Sequence, residues 1–295
     1  MRKSTLLAYY YGIPLMLLIS LRGYGQGNLF RTELPDQFIN NHYLLNPANS
    51  DSTYGFAIKI GNKAETGLFQ GVNKIYADGD WRIKAGVKGS MHHVGVFVFN
   101  NREGNFINRT RLYGRYGWRL RLSSRSSIST GVSLGFINYS FRSSQAGVGG
   151  SDLKPDGNLG VWYLRPNTGI GLSLQHLSEP DLQPVFQRFK IKRYGNVLGY
   201  QKIAFSPFIN LNASAFASFD ATFAIHGAVA GVAEVYDKVE AGVVYVFPGH
   251  ALFMAGLKNI RLGDCLLHFS FSYLVETGKL TIRDNAIEIF GEIRQ

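Results

Sequence analysis

Cysteine is almost missing from this sequence of 295 residues, and its single example, Cys265, excludes a disulfide within one chain. Charged residues are also scarce, at 17%, against roughly 25% in ordinary soluble domains. After residue 21, no uninterrupted apolar run approaches the roughly 18 residues of a membrane-spanning helix. What is plentiful is glycine, with 34 residues, and aromatic side chains, at 14%. This composition favours many short strands connected by turns over long helices.

The first 25 residues have the layout of a secretory signal peptide. Arg2 and Lys3 precede an apolar run over residues 6–21, and the small residues Gly23 and Gly25 follow it. We expect residues 1–25 to be removed by cleavage before Gln26. The alternative is an uncleaved anchor helix, but Pro14 interrupts the run, which is short for a span. An exported chain of this composition is either a periplasmic β-protein or an outer-membrane barrel.

Alternating apolar and polar residues recur along the rest of the chain, as in the apolar series Leu267, Phe269, Phe271, Tyr273 and Val275. The segments are mostly long enough to cross a bilayer as tilted strands. The predicted strands are 53–61, 73–85, 91–101, 107–122, 126–142, 157–165, 168–177, 187–204, 206–218, 220–231, 237–247, 250–259, 264–276 and 285–294. A soluble sandwich would also alternate. Abundant aromatic residues near strand ends favour the barrel, since membrane barrels carry aromatic girdles; the candidates are Trp81, Tyr139, Phe141, Trp162, Tyr163 and Phe247.

The sequence therefore predicts an all-β protein, a single transmembrane antiparallel β-barrel of about 14 strands over residues 53–295. Residues 26–52 are predicted to form a short N-terminal periplasmic segment. Lipid contacts the outer wall, and the expected location is the bacterial outer membrane.

One stretch carries arginine at alternate positions of a single predicted strand. These residues are Arg109, Arg111, Arg115, Arg119 and Arg121. A solvated strand face or a nucleic-acid groove would also use basic residues, but the aromatic residues here lie mostly on the opposite face, where they cannot stack beside the arginines. We therefore expect no nucleic-acid partner. The arginines are predicted to form a basic column on the lumen wall, paired with acidic residues such as Glu240 or Glu288.

Motifs that resemble catalytic sites have simpler interpretations. Ser133 lies in a Gly-x-Ser-x-Gly string, but the string sits within a strand and lacks the sharp turn into a helix that exposes a nucleophile. His92 and His93 are adjacent and point to opposite faces of a strand, so they cannot share a metal ion. His268 with Ser270 is the nearest local pair for a membrane hydrolase. The glycine-rich stretch 147–158 is predicted to be a loop. No catalytic site, metal or cofactor is expected.

Three segments resemble one family of Bacteroidetes outer-membrane proteins. The opening matches at Gln37, Phe38, Tyr43, Asn46, Pro47 and Ala48; the others are 154–180 and the closing hairpin after residue 266. Together they are similar to the PorP/SprF family. The resemblance implies a non-enzymatic barrel of the type IX secretion and gliding machinery, which contacts periplasmic or cell-surface partner proteins.

The N-terminal segment is the candidate contact region. Gln37, Phe38, Tyr43, Asn46 and Pro47 are predicted to form a partner-docking turn at the periplasmic rim, although the same residues would also suit a plug in the lumen. Two other functions stay open. The lumen arginines would suit an anion-preferring diffusion porin, and an outer-membrane hydrolase is the second alternative.

Overall fold

A computed structural model describes residues 37–49, 54–67, 70–84, 90–143, 147–186, 188–220, 225–247, 249–276 and 285–295. The predicted signal peptide and residues 26–36 and 50–52 of the predicted periplasmic segment lie outside the described residues.

The described chain consists almost entirely of strands. A single 3-10 turn, His42–Leu44, precedes them. The strands are β1 Phe56–Thr66, β2 Val72–Lys84, β3 Ser90–Glu103, β4 Ile107–Ser123, β5 Ser126–Phe141, β6 Gly150–Arg165, β7 Thr168–Gln175, β8 Asp181–Leu182, β9 Phe189–Lys190, β10 Tyr194–Ala204, β11 Ile209–Asp220, β12 Ile225–Val235, β13 Val239–Val246, β14 His250–Leu262, β15 Cys265–Glu276 and β16 Asn285–Arg294.

Fourteen of these strands close into one antiparallel barrel, and β8 and β9 form a separate two-stranded sheet. Neighbours in sequence are neighbours in the wall, except that β7 pairs with β10 across residues 176–193. β1 pairs with β16, with Ala57 opposite Arg294 and Thr66 opposite Asn285. Closure satisfies the backbone of the first and last strands and leaves no free edge. The predicted all-β barrel of about 14 strands is confirmed.

Alternation separates the two faces of the wall as the sequence predicts. Apolar side chains cover the outside, including Ile60 (54% exposed), Leu134 (65%), Leu172 (57%) and Phe269 (51%). An apolar outer band is what a barrel presents to lipid. Among the described residues, no helix is long and apolar enough to cross a membrane.

Two of the predicted girdle residues face the lumen instead. Trp162 is fully buried and Tyr139 nearly so, while Trp81 is exposed on the outside. The reason is strand parity. Trp162 shares a face with the buried Asn158 and Asp156, and Tyr139 lies opposite Arg109 on β4.

The lumen has an apolar side and a charged side. The apolar side joins buried residues of β10 to β16, such as Leu198, Phe216, Val244 and Leu252. The charged side is richest on β1–β6, where Lys59, Asp78, Asp80, Arg115 and Asp156 are buried, and the buried acids Glu240 and Glu292 extend it to β13 and β16. The apolar side of the lumen is supplied by β10 to β16. The small or aliphatic residues of those strands pack together there rather than line water.

The two ends of the barrel differ in their connections. β1 begins and β16 ends at the same end, where β4–β5 and β6–β7 are joined by the two-residue turns 124–125 and 166–167. We call this the turn end. The opposite end, which we call the loop end, carries the longer connections 142–149 and 176–193. The glycine-rich stretch predicted as a loop is mostly strand, because β6 begins at Gly150 and pairs with β5 along its whole length.

Candidate functional site

Residues 37–49 lie inside the barrel, and we call them the lumen segment. Gln37 and Asn46 are fully buried, Phe38 and Tyr43 are 3% and 7% exposed, and Pro47 is buried. All five residues predicted to dock a partner therefore contact the barrel's own wall. The segment packs on strands from both ends of the chain, from Lys59 of β1 to Glu288 of β16.

The first part of the lumen segment is fixed to β15 and β16. The Gln37 side-chain amide donates to Ser272 Oγ at 3.0 Å and to the Glu288 carbonyl at 3.2 Å, and Ser270 donates to Gln37 Oε1. The Gln37 backbone N–H donates to Glu288 Oε2 at 3.2 Å. Phe38 packs on Phe216 of the apolar side, with ring centroids 5.9 Å apart. Polar and apolar anchors together fix the direction in which the segment enters.

The middle of the lumen segment is held by ring contacts. His42 stacks on Tyr200 with a centroid distance of 5.6 Å and packs on Trp162 at 5.7 Å. Tyr43 lies against two cations, with Lys59 Nζ 4.1 Å and the Arg115 guanidinium 4.6 Å from its ring centroid. A desolvated cation over an aromatic face contributes about 1–2 kcal/mol. The segment therefore binds both the charged and the apolar side of the lumen.

The turn Asn46–Pro47–Ala48 is the most tightly bound part. The Asn46 side-chain amide donates to the carbonyls of Val161 and Leu172 at 3.1 and 3.0 Å, and its oxygen accepts from the Ala48 N–H at 2.9 Å. Ser129 Oγ donates to the Ala48 carbonyl at 2.7 Å.

The Leu45 carbonyl just before this turn accepts from three wall side chains, Ser173 Oγ, the Gln175 amide and the Asn196 amide. Each satisfied buried hydrogen bond contributes about 1 kcal/mol. Side chains of the wall thus hydrogen-bond to the backbone of this turn at several points.

The turn lies on a row of three wall glycines, two of which account for its close approach. Gly117, Gly131 and Gly160 lie opposite one another on β4, β5 and β6. A Cβ at 131 would collide with the backbone of Pro47 and Ala48, and a Cβ at 160 would collide with the Asn46 amide. We call these residues the glycine row. The Gly-x-Ser-x-Gly string that begins at Gly131 carries no sequence signal for the turn that packs on it.

The arginine column follows one face of β4 and has varied partners. Arg115 donates to Asp78 at 3.3 Å and to Asp80 at 2.9 Å, and Arg109 pairs with Glu103 at 3.0 Å. Arg111 lies over the Phe99 ring, with its guanidinium carbon 4.7 Å from the centroid. Arg119 is buried, whereas Arg121 is exposed near the turn end.

The two acids suggested as partners for that column bind other groups. Glu240 accepts from His268 at 2.8 Å and lies 3.4 Å from Lys258. Glu288 accepts from the Tyr76 hydroxyl at 2.8 Å and from Gln37. Asp78, Asp80 and Glu103, which pair with Arg115 and Arg109, lie on β2 and β3, on the same side of the barrel as β4.

The loop end is covered by the connection 176–193, which sequence analysis missed. Leu182 is fully buried in a cluster with Tyr113, Ile137 and Tyr139. Asp156 accepts from His176 at 2.6 Å, from Ser178 at 2.8 Å and from Tyr113 at 2.7 Å. These contacts draw the connection inward over the lumen.

A pair on the surface of this connection also orders it. A hydrogen bond from Lys190 at 2.7 Å, together with one from the Arg193 backbone, lowers the pKa of the Glu179 carboxyl below its ordinary value. The pair ties the two ends of the connection to each other.

The side chains considered as catalytic candidates make contacts within the barrel. Ser133 accepts a hydrogen bond from Asn158 at 2.9 Å in the lumen wall, and Ser270 binds the lumen segment. His268 lies between Glu240 and Glu292. Within the described ranges, no group of three or more histidine, cysteine or acidic residues is placed to hold a metal ion.

A cavity of about 560 Å³ opens between the lumen segment and the turn end. Tyr43 and His42 of the lumen segment form part of its lining, together with Arg119 and Arg121 of the arginine column. We call it the turn-end cavity. Of the five residues predicted for docking, Tyr43 faces this cavity, and the other four hold the segment in place.

Solved structures show the same architecture at low sequence identity. The toluene transporter TbuX of Ralstonia pickettii superposes with a TM-score of 0.59 and 12% identity, covering 94% of this chain and 99% of that one. The monoaromatic hydrocarbon channel CymD gives 0.58 and 10%, covering 89% and 93%. A FadL homologue of Pseudomonas aeruginosa gives 0.52 and 9%, covering 82% and 90%. These likenesses show the outer-membrane barrel fold.

No curated protein matches the chain significantly. A family profile does, over residues 33–292, and its description is type IX secretion system membrane protein PorP/SprF. The matched range includes the lumen segment and all sixteen strands except the last residues of β16. The chain belongs to the PorP/SprF family of type IX secretion system membrane proteins.

Proposed function

We propose that this protein is a non-enzymatic barrel of the outer membrane that docks partner proteins of a type IX secretion and gliding apparatus. The family match over residues 33–292 carries the proposal. The lumen segment supports it, because a barrel whose interior is filled by its own chain serves better as a rigid scaffold than as a wide pore.

The proposal assigns the turn end to the periplasm. In outer-membrane barrels the short turns are periplasmic and the longer loops are extracellular. Periplasmic partners would then meet the turn-end cavity, with Tyr43 at its floor, and surface partners would meet the connection 176–193.

Co-purification and secretion together test this function. We expect a tagged full-length chain, extracted from outer membranes in detergent, to retain envelope proteins of the secretion apparatus. Deleting the gene is expected to remove a set of proteins from the culture medium, and the wild-type gene on a plasmid should restore them. An unchanged set of secreted proteins in the deletion strain would refute the proposal.

An anion-preferring porin is the competing function, favoured by the lumen arginines and by the fold shared with transport channels. Planar-bilayer recordings separate the two. A scaffold with a filled lumen should give no steady conductance, whereas large, stable, anion-selective openings of the unmodified protein would identify a porin.

A further inference from the structure

The turn-end cavity carries more positive charge than its own acids neutralise. Among the described residues that line it, eight are arginines or lysines, three are glutamates and none is an aspartate. Neither the anchoring of the lumen segment nor the closure of the barrel uses most of these cations.

The three glutamates are already paired on one side of the cavity. Glu234 and Glu240 both contact Lys258, and Glu240 also binds His268. Glu292 lies 3.8 Å from Lys59 and 3.5 Å from Arg294. The side formed by β1 and β12 to β16 is therefore close to balanced in charge.

The opposite side has cations without acidic partners. Arg121 ends the column on β4, Arg125 lies in the β4–β5 turn, Arg165 ends β6 and Lys202 lies near the end of β10. All four side chains are exposed. Within the described ranges, no ion pair joins any of them to a carboxylate, and the Arg165 guanidinium donates to the Tyr163 hydroxyl and lies near the Tyr163 ring.

This one-sided charge suits a ligand that brings its own carboxylates. Like charges gathered in a concave site repel one another and raise the local potential, which attracts an acidic partner. The cavity is lined by residues of the lumen and of the turns 124–125 and 166–167 at the turn end. A polypeptide entering from the periplasm reaches it, whereas the head groups of the bilayer lie around the barrel rather than across its mouth.

We propose that the turn-end cavity binds a carboxylate-rich polypeptide segment of a periplasmic partner. Arg121, Arg125, Arg165 and Lys202 pair with its acidic side chains, and Tyr43 forms the floor beneath it. This inference rests on the proposed placement of the turn end in the periplasm and names the chemistry of the partner docked there.

Fluorescence anisotropy with the full-length protein in a neutral detergent tests the site directly. The probes are a labelled octa-glutamate peptide, an octa-lysine peptide and an uncharged peptide of alternating glycine and serine. We expect binding of octa-glutamate alone, weakening as salt rises, because the Debye length falls from about 30 Å at 0.01 M to about 8 Å at 0.15 M.

Charge reversal with a matched control locates the site. The triple variant R121E/R125E/K202E should weaken octa-glutamate binding by about tenfold or more. The control K154E/R188E/K192E places the same charge change near the loop end, where Arg188 and Lys192 are exposed, and should leave affinity unchanged. Heat-modifiable migration on a gel verifies that both variants fold.

Other outcomes would overturn the proposal. They are equal weakening by both triple variants, absence of octa-glutamate binding, or displacement of octa-glutamate by inorganic phosphate at equal charge concentration. Capture by vesicles of anionic phospholipid that depends on the same cations would reassign the site to lipid. Because this assay measures peptide binding alone, its failure would leave the secretion phenotype untouched, and the two proposals fail separately.

Discussion

A missing side chain is what lets the lumen segment reach the barrel wall. Gly131 faces the backbone of Pro47 and Ala48 at a distance where no Cβ fits, and Gly160 faces the Asn46 amide in the same way. Gly117, in the same row, is looser, since a Cβ there would lie 3.7 Å from the Pro47 carbonyl oxygen, in ordinary contact. Neighbouring glycines thus differ in how closely the lumen segment approaches them.

Gly131→Ala should loosen the lumen segment, because the added methyl must displace the Pro47–Ala48 backbone at a cost of about 1–3 kcal/mol. Hydrogen exchange at the Ala48 and Asn49 amides should speed up by about tenfold, in line with 1.4 kcal/mol per factor of ten. Gly117→Ala is the matched control and should exchange like the wild type. Similar protection in both variants would show that the glycine row does not set the fit.

The arginines of the column also contribute unequally to stability, because they differ in burial and in their partners. Arg115→Leu would leave the buried Asp78 and Asp80 without the guanidinium that neutralises them, whereas Arg121 is exposed. Removing one partner of a buried ion pair costs about 3–5 kcal/mol. Urea unfolding from lipid vesicles should show a loss of that size for Arg115→Leu and within about 0.5 kcal/mol of none for Arg121→Leu. Equal losses would contradict these assignments.

At the scale of strands, period-2 alternation was enough to predict the wall. The predicted ranges overlap all fourteen barrel strands, because one face must meet lipid and the other the lumen. The largest boundary errors are equal in size: β10 begins at Tyr194 against the predicted 187, and β6 begins at Gly150 against the predicted 157. At β6, Gly150–Asn158 reads as a loop from its glycines, proline and charged residues. Those residues pair with β5 near the loop end, where cross-strand contacts outweigh local turn preference.

Leucines on the lipid face of β4 and β5 allow a test of how deep each position lies in the bilayer. Leu134 lies near the middle of β5 and is 65% exposed, whereas Leu122 is 55% exposed near the end of β4. Arginine on a lipid face costs about 2–4 kcal/mol at the bilayer midplane and about 0–1 near its surface. Leu134→Arg should therefore reduce folding into vesicles far more than Leu122→Arg, as measured by the heat-modifiable band. Equal folding yields would place Leu134 outside the bilayer's apolar layer.

For the whole molecule, the position of the lumen segment was beyond the reach of sequence patterns. Gln37 binds Glu288 across 251 positions, and Asn46 binds Leu172 across 126. Periodicity relates only residues that are neighbours within one strand or helix. It therefore cannot indicate whether the segment lies at the periplasmic rim or inside the lumen. The contacts of His42, the glycine row and the inward-folded connection 176–193 were likewise invisible.

Removing the lumen segment should open the barrel. Deleting residues 37–49 takes out the ring contacts with Trp162 and Tyr200 and the Asn46–Ala48 turn, while β1–β16 pairing is untouched. We expect the variant to conduct in planar bilayers with anion preference, because basic residues then line the way to the turn end. A silent deletion variant would show that the connection 176–193 and the apolar packing close the lumen without the segment.

The lumen segment also constrains the order of assembly. It is the first described part of the chain to be synthesised, yet it binds β15 and β16, which come last. Contacts so distant in sequence form late, because the entropy of closing a long loop is lost before the contacts can stabilise the chain. The open sheet must therefore curl around its own beginning, and the last β1–β16 rungs seal that beginning inside. In the finished protein the closed barrel surrounds the lumen segment. The segment can leave the lumen only through the turn end or the loop end.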